Sequence, residues 1–432
     1  MSQPNIDRRS FLGVAGTAFT TSIFTGNLKG ANDRISAAFI GVGTMGTGNL
    51  EYAMKQSGLV PVAVCDVYQP HLDKAAEVAA KGGFQVSKIR DFREILANPS
   101  IDVVNISTPD HWHAYITVEA CKRGKDVFVE KPVSLTLEEG KAMVDAARKY
   151  QRVVQCGTMQ RSVGHFQEAC GIVRSGKIGE VKFCRTWTYN NDVREGIGNP
   201  ADCEPPGDLD WDMWLGPAPR RPFNPNRFGV DPNHFSYFRF FWDYAGGMMT
   251  DWGVHVLDIV HLALGEPMPQ SVTALGGKLW YRDNRETPDT LQVTYQYPGF
   301  VTMYEDRSSN GNSMFDQDYG TIFHGSEATL FVNRELYRII PEKKGAQTIE
   351  VKSTTHGNVE HWANFLECVK IRKRPVSDIE ICYKTTAACL LGNAAYRSNL
   401  RLDWDADRET VVQPEGRKYL AMNYRPPWTL TV

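Results

Sequence analysis

Three glycines set the strictest limit on what this chain can become. Gly41, Gly43 and Gly46 follow directly on the apolar run Ile35 to Ile40 and open a helical pattern that runs through Gln56. The run reads as a buried strand, so the glycines form a strand–turn–helix junction in which the backbone turns sharply. A turn bare of side chains lets a pyrophosphate come close, and the free N–H groups and positive dipole of the following helix attract it. Gly41, Gly43, Thr44, Met45 and Gly46 are therefore expected to bind phosphate. A second strand, Val60 to Cys65, ends at Asp66, about 20 residues past the last glycine. A carboxylate there accepts hydrogen bonds from a ribose diol and repels a 2′-phosphate, which predicts NAD as the cofactor.

The alternation continues. Helical patterns at His71 to Ala80, Asp91 to Leu96, Ala114 to Lys122 and Leu137 to Lys149 separate strands at Val103 to Ser107, Asp126 to Glu130 and Val153 to Gln155. Strands alternating with helices predict a doubly wound parallel sheet, an α/β fold, over residues 34–155. Ligands of such sheets lie beyond the carboxyl ends of the strands, where Thr108, Pro109, Glu130, Lys131 and Gln155 fall. Residues 156–432 are then a second α/β domain for substrate and for assembly.

Composition narrows the partners. Net charge is −2, which lacks the basic footprint of a nucleic-acid binder. No run of about 18 apolar residues exists to span a membrane. The nine cysteines show no CxxC spacing, so neither a disulfide framework nor a zinc site is expected. His111 and His113 lack a third ligand nearby, and no metal is expected. Residues 1–31 stand apart: Arg8-Arg9-Ser10-Phe11-Leu12 before a Gly/Ala/Thr-rich stretch resembles a twin-arginine export signal. Such a signal moves folded proteins, so a periplasmic protein that collects its cofactor before export is expected.

In the second domain, Asp251 and His255 are spaced i, i+4 and are expected to share one helical face, where a carboxylate would raise the imidazole's basicity. Together with Gly41-x-Gly43-x-x-Gly46, the motifs Thr108-Pro109-x-x-x-His113, Glu130-Lys131-Pro132, Gly246-Gly247 and Asp251-x-x-x-His255 resemble the family named for glucose–fructose oxidoreductase, inositol dehydrogenase and the rhizopine-catabolism protein (Gfo/Idh/MocA), over about residues 34 to 428. The resemblance implies a Rossmann domain followed by an α/β domain with a large, mostly antiparallel open sheet, with strands at Val181 to Tyr189, Ser271 to Tyr281, Thr290 to Tyr297, Val301 to Arg307 and Thr321 to Val332. It implies a homo-oligomer, dimer or tetramer, and NAD-dependent oxidation of a ring hydroxyl on a sugar, glycoside or cyclitol. Lys131 would stabilise the developing alkoxide, His255 would take the proton, and Asp251 would hold sugar or histidine. Thr108, Pro109, His113 and Glu130 would join the cofactor site. Gln160, Arg161 and Trp242 would reach substrate, while Arg239, Tyr244, Trp187 and Tyr189 fit either a sugar-stacking wall or an aromatic core. The alternative reading is a redox-neutral, NAD-dependent glycosidase that oxidises, eliminates, hydrates and re-reduces. The family's glycosidases lack the lysine of Glu-Lys-Pro, so Lys131 favours the dehydrogenase.

Overall fold

The computed structural model describes residues 34–189, 195–229 and 236–432. The export reading of residues 1–31 lies outside the described residues. The first half builds β1 (Ile35–Ile40), α1 (Thr44–Met54), β2 (Leu59–Cys65), α2 (Gln69–Lys81), β3 (Ser87–Ile89), α3 (Phe92–Ala97), β4 (Val103–Ile106), α4 (Asp110–Lys122), β5 (Asp126–Val129), α5 (Leu137–Lys149) and β6 (Val154–Cys156). The strands pair in parallel in the order β3-β2-β1-β4-β5-β6. The order reverses beside β1, and that switch point opens the crevice used for ligands. Strands β1, β4 and β5 are buried almost throughout, as a sheet covered on both faces requires. Capping fixes α5: the Thr136 hydroxyl accepts from the Glu139 amide and the Glu139 carboxylate accepts from the Thr136 amide.

The second half adds α6 (Gly164–Arg174), β7 (Val181–Thr188), α7 (Trp211–Leu215), α8 (Pro225–Phe228), α9 (Gly247–Asp251) and α10 (Gly253–Leu264). Then come β8 (Ser271–Gly277), β9 (Thr290–Tyr297), β10 (Phe300–Arg307), β11 (Tyr319–Gly325), β12 (Ala328–Val332), β13 (Leu336–Pro341) and β14 (Ile349–Lys352). The chain closes with α11 (Asn358–Ile371), α12 (Ile379–Ser398), β15 (Leu402–Asp405), β16 (Thr410–Val411) and α13 (Pro414–Arg417). The strands form one sheet in the order β14-β13-β12-β11-β7-β10-β9-β8-β15-β16, antiparallel except where β10 runs parallel to β7. Its inner face packs on α6, α10 and α12 through one core that includes Tyr295, Phe323, Leu257 and Leu391. The expected strand Thr321 to Val332 is in fact the hairpin β11–β12, and the strand beginning at Ser271 ends at Gly277.

The last helices cross back to the first sheet. Trp362 of α11 stacks flat on Phe128 of β5, centroids 4.4 Å apart, and its indole N–H donates to Asn49 Oδ1 of α1. Ile379 and Cys382 of α12 enter the core beneath β5 and β6. Both sheets thus bear on one set of helices. A separate aromatic cluster holds Trp214, Phe228, Phe238, Phe241 and Tyr244, and its first three members line the crevice.

Candidate active site

The ends of β1, β2, β4 and β5 open on a cavity of about 450 Å³. One end is the glycine turn. Gly41 has φ +79°, and a Cβ there would meet the Thr108 amide nitrogen at 2.6 Å; a Cβ on Gly46 would meet the Gly41 carbonyl oxygen at 1.9 Å. Only glycine lets β1, the turn and the β4 loop approach so closely. Gly41, Gly43, Thr44 and Met45 line the cavity, while Gly46 sits behind them as packing. The first turn of α1 has no side-chain cap and no acidic residue, so its amides stand available to an anion. Asp66 Oδ2 accepts from the Val42 amide at 2.9 Å and lies 3.2 Å from His71 Nδ1, while Oδ1 accepts from the Tyr68 amide at 3.0 Å. The carboxylate therefore braces the glycine turn while keeping a face on the cavity, with lone-pair capacity left for a diol. The bare turn, uncapped helix and braced carboxylate fit a dinucleotide.

The other end is charged. Lys131 Nζ donates to Asp251 Oδ1 at 2.6 Å and to the Asp251 carbonyl at 3.1 Å, and Arg239 Nε donates to the same Oδ1 at 2.9 Å. Burial would raise the Asp251 carboxyl, but the two cations outweigh it and hold the group well below the usual carboxylate range. Glu130 accepts from Asn49 Nδ2 at 2.8 Å and from the Lys131 amide at 3.2 Å, which ties the lysine's backbone to α1. Burial lifts the Glu130 carboxyl, with Asn49 and Lys131 opposing. Asp110, Thr108, Pro109, Ser236, Phe238 and Trp214 complete this end.

The remaining expected residues are placed differently. His113 lies behind the wall and ties two loops together, its Nδ1 2.8 Å from the Pro132 carbonyl and its Nε2 2.8 Å from that of Thr108. Asp251 and His255 do not share one helix, because the helix breaks at Trp252 between α9 and α10. Asp251 turns to the cations. His255 is buried against Trp252, with Nδ1 unpartnered among the described residues, and it is not among the residues lining the cavity. Burial, then Arg334 and Lys131, push its imidazole well below its ordinary value; Asp251 opposes without prevailing, so the expected gain in basicity is absent.

Arg161 is sealed in an ion pair with Asp258, Nε 2.8 Å from Oδ2, and reaches Glu266 at 3.1 Å, not the cavity. Gln160 donates to the His255 carbonyl and accepts from Arg334. Trp242 lines a second, smaller cavity of about 150 Å³, beneath Arg397. Tyr244, Trp187 and Tyr189 are core. Gln155 donates to the His361 carbonyl, which removes it from the ligand end. Asp110 went unread because an aspartate opening a helix ordinarily serves the helix itself. Its one signal was its place, immediately after Thr108-Pro109 at a strand end.

A parallel sheet with a glycine turn and a lysine at a strand end, joined to an open-sheet domain whose Asp251 pairs with that lysine at the same cavity, defines an NAD-binding oxidoreductase. Residues 35–158 match the family model described as "Oxidoreductase family, NAD-binding Rossmann fold", and residues 182–430 match its companion, the "C-terminal alpha/beta domain". The chain belongs to the Gfo/Idh/MocA family. A relative from Shewanella sp. (strain W3-18-1), named "Glycosyl hydrolase family 109 protein", is 31% identical over 208 residues, 41% of this chain and 44% of its own length. The chain thus spans less than half the length of the curated relatives it matches. Among solved structures, levoglucosan dehydrogenase in complex with NADH and levoglucosan superposes with TM-score 0.67 at 20% identity, over 86% of this chain and 99% of that one. Aldose-aldose oxidoreductase from Caulobacter crescentus gives TM-score 0.63 at 19% identity, over 86% and 99%. These likenesses establish a shared fold.

Proposed function

We propose that the protein oxidises a ring hydroxyl of a sugar, glycoside or cyclitol, with NAD held tightly in the cavity. The observation that carries the reading is the Lys131 ammonium, oriented by Asp251 at one end of a cavity whose other end is the glycine turn. An ammonium has three donors, and two are spent on Asp251, which leaves one for a ligand oxygen. That donor stabilises negative charge on a hydroxyl oxygen as its proton leaves. Asp251 and Arg239 hold the lysine in place, and Glu130 couples its backbone to the helix that faces the phosphates. Trp214, Phe228 and Phe238 give the cavity an apolar wall beside the charged groups. When bound, the nicotinamide supplies the hydride acceptor. Similarity to structures of sugar dehydrogenases supports a carbohydrate substrate.

Export after folding belongs to the same reading, supported by Arg8-Arg9 in a chain that binds a cytoplasmic cofactor. Protein recovered from the periplasm should carry nicotinamide detectable by mass spectrometry; cofactor-free protein would end tight retention. Assembly into a dimer or tetramer would cover Leu275, Leu279 and Trp280, which stand exposed at the open sheet. Light scattering decides that.

A glycosidase is the second reading, favoured by the relative's name. Two assays separate the two. A panel of sugars and cyclitols with NAD⁺, followed at the NADH absorbance, should show net reduction for the dehydrogenase. Nitrophenyl glycosides with no added NAD should release nitrophenol only for the glycosidase.

A further inference from the structure

We propose that the second cavity, the one lined by Trp242, binds a small oxyanion, a carboxylate or a phosphate, between Arg397 and Lys418. The cavity measures about 150 Å³, room for about five waters, which suits a ligand of that size. Its charged lining residues are Asp243, Arg397 and Lys418. The carboxylate is committed: Asp243 accepts from Arg221 Nε at 2.7 Å and lies 4.0 Å from Arg227. The cations are not. Their contacts are aromatic rings: the Arg397 guanidinium lies 4.6 Å from the Trp242 centroid and 4.3 Å from that of Tyr419, and Lys418 Nζ lies 4.8 Å from Tyr419. Among the described residues neither side chain donates a hydrogen bond or pairs with a carboxylate.

A lone exposed arginine is ordinarily solvated surface. This one is held. Trp242 is fixed by its amide, which donates to Glu286 at 2.9 Å, and the Tyr419 hydroxyl donates to the Arg397 carbonyl at 3.1 Å. Contact with rings positions a guanidinium while leaving its five N–H donors for an acceptor. Those donors are paired in a plane that matches two oxygens of a carboxylate or phosphate, and the ammonium of Lys418 adds a second charge on the same cavity. Glu286 does not supply that acceptor, since it already serves the Trp242 amide and lies 3.4 Å from Arg227. Arg397 and Lys418 both open to solvent, so a ligand enters directly.

The cavity's place gives such a ligand leverage. Leu135 and Thr136 bring to it the loop that follows Lys131-Pro132, and Gly246 brings the turn entering α9, which ends at Asp251. Asn393 of α12 ties the third side down, its Nδ2 donating to the Gly246 carbonyl at 2.8 Å. An anion seated there bears on both segments whose side chains meet in the Lys131–Asp251 pair. Pro219, Leu390 and Met422 add an apolar wall on which a carbon skeleton can rest, and this feature distinguishes an organic acid from inorganic phosphate. The inference stands apart from the proposed oxidation.

The test titrates the NAD-loaded full chain with inorganic phosphate and, separately, with malonate, at neutral pH and constant ionic strength. Tryptophan fluorescence should change saturably with at least one of them, and Tm should climb with the logarithm of its concentration. Arg397→Gln and Lys418→Gln should each weaken the Kd by about tenfold or more. Arg401→Gln, which removes an exposed arginine paired with Asp403, should leave it unchanged. Trp242→Phe should abolish the fluorescence change and keep the Tm shift. Tighter binding of malonate assigns the site to an organic acid, and tighter binding of phosphate assigns it to phosphate. No saturable binding of either anion to the wild type would overturn the proposal. So would a Tm that rises equally in wild type, Arg397→Gln and Lys418→Gln, because that is the general effect of excluded anions. Should Arg397→Gln fail to fold, an unchanged Kd in Lys418→Gln is enough to refute it.

Discussion

Two buried ion pairs, one on each side of the break at Trp252, are built from the same parts and do different things. Asp251 ends α9 and pairs with Lys131 and Arg239; Asp258, two turns on in α10, pairs with Arg161 and accepts from Thr385. From the sequence both look like sites, since each joins an aspartate to cations near a histidine. The structure separates them by what is left over. Arg161 and Asp258 are 2% and 1% exposed, and α12 closes over them through Thr385. Lys131 retains a donor and faces a cavity. A buried charge marks a functional site when it has unused hydrogen-bonding capacity toward a space a ligand can enter; otherwise it is scaffold.

Breaking the sealed pair should have the largest effect. Arg161→Met leaves Asp258 buried without its cation, an error that costs about 3–5 kcal/mol of stability. Urea unfolding should show it as a lower midpoint at unchanged slope. What folds should still bind NADH with wild-type affinity. Equal stability and lost turnover would reverse the assignment of the two pairs.

Lys131→Met should do the opposite. Removing one donor aimed at a developing oxyanion typically costs about 10²–10³ in kcat. NADH binding, measured by fluorescence, should change by less than about threefold, because the glycine turn and Asp66 lie at the far end of the cavity. Loss of cofactor affinity in proportion to rate would make the lysine a binding residue only.

The comparison sharpens further with pH, because the two carboxylates at the charged end are shifted in opposite directions. Asp251 is depressed when folded, so the stability it contributes is present above its unfolded value near 4 and fades as pH falls below that. Asp110 is raised when folded, so the folded state binds the extra proton between about 4 and 7, and stability declines as pH climbs through that window. Asp251→Asn should therefore lower Tm at pH 7 and converge on wild type in acid. Asp110→Asn should raise Tm at pH 8 and converge on wild type near pH 4. Parallel pH curves for the two variants would refute the opposed shifts.

The first sheet was legible because its signals are local. Buried parallel strands read as apolar runs, and a positive-φ glycine at a strand end has few other uses. The second sheet was less so. Gly325-Ser326-Glu327, a turn signal inside the expected run, is where β11 folds back into β12, and β13 and β14 carry charged residues on an exposed face. At the site, Lys131 and Asp251 were found through motifs, whereas Arg161 was misjudged because ion-paired scaffold and substrate contact use the same residues. Only burial on all sides tells them apart.

Trp242 tests the smallest difference. An aromatic near Asp251 in sequence is a natural sugar platform, yet its ring supports the Arg397 guanidinium, 4.6 Å from the centroid, and its amide donates to Glu286 at 2.9 Å. It lines the second cavity, with Asn393 and Tyr419, and is not among the residues lining the cavity that Lys131 faces. Trp242→Phe keeps a π face for the cation and the backbone amide, so it should cost at most about 1 kcal/mol of stability. It should leave kcat/KM within twofold across the sugar panel. If KM instead rises tenfold or more with kcat unchanged, the second cavity takes part in holding substrate, and the boundary between site and scaffold must be moved to include it.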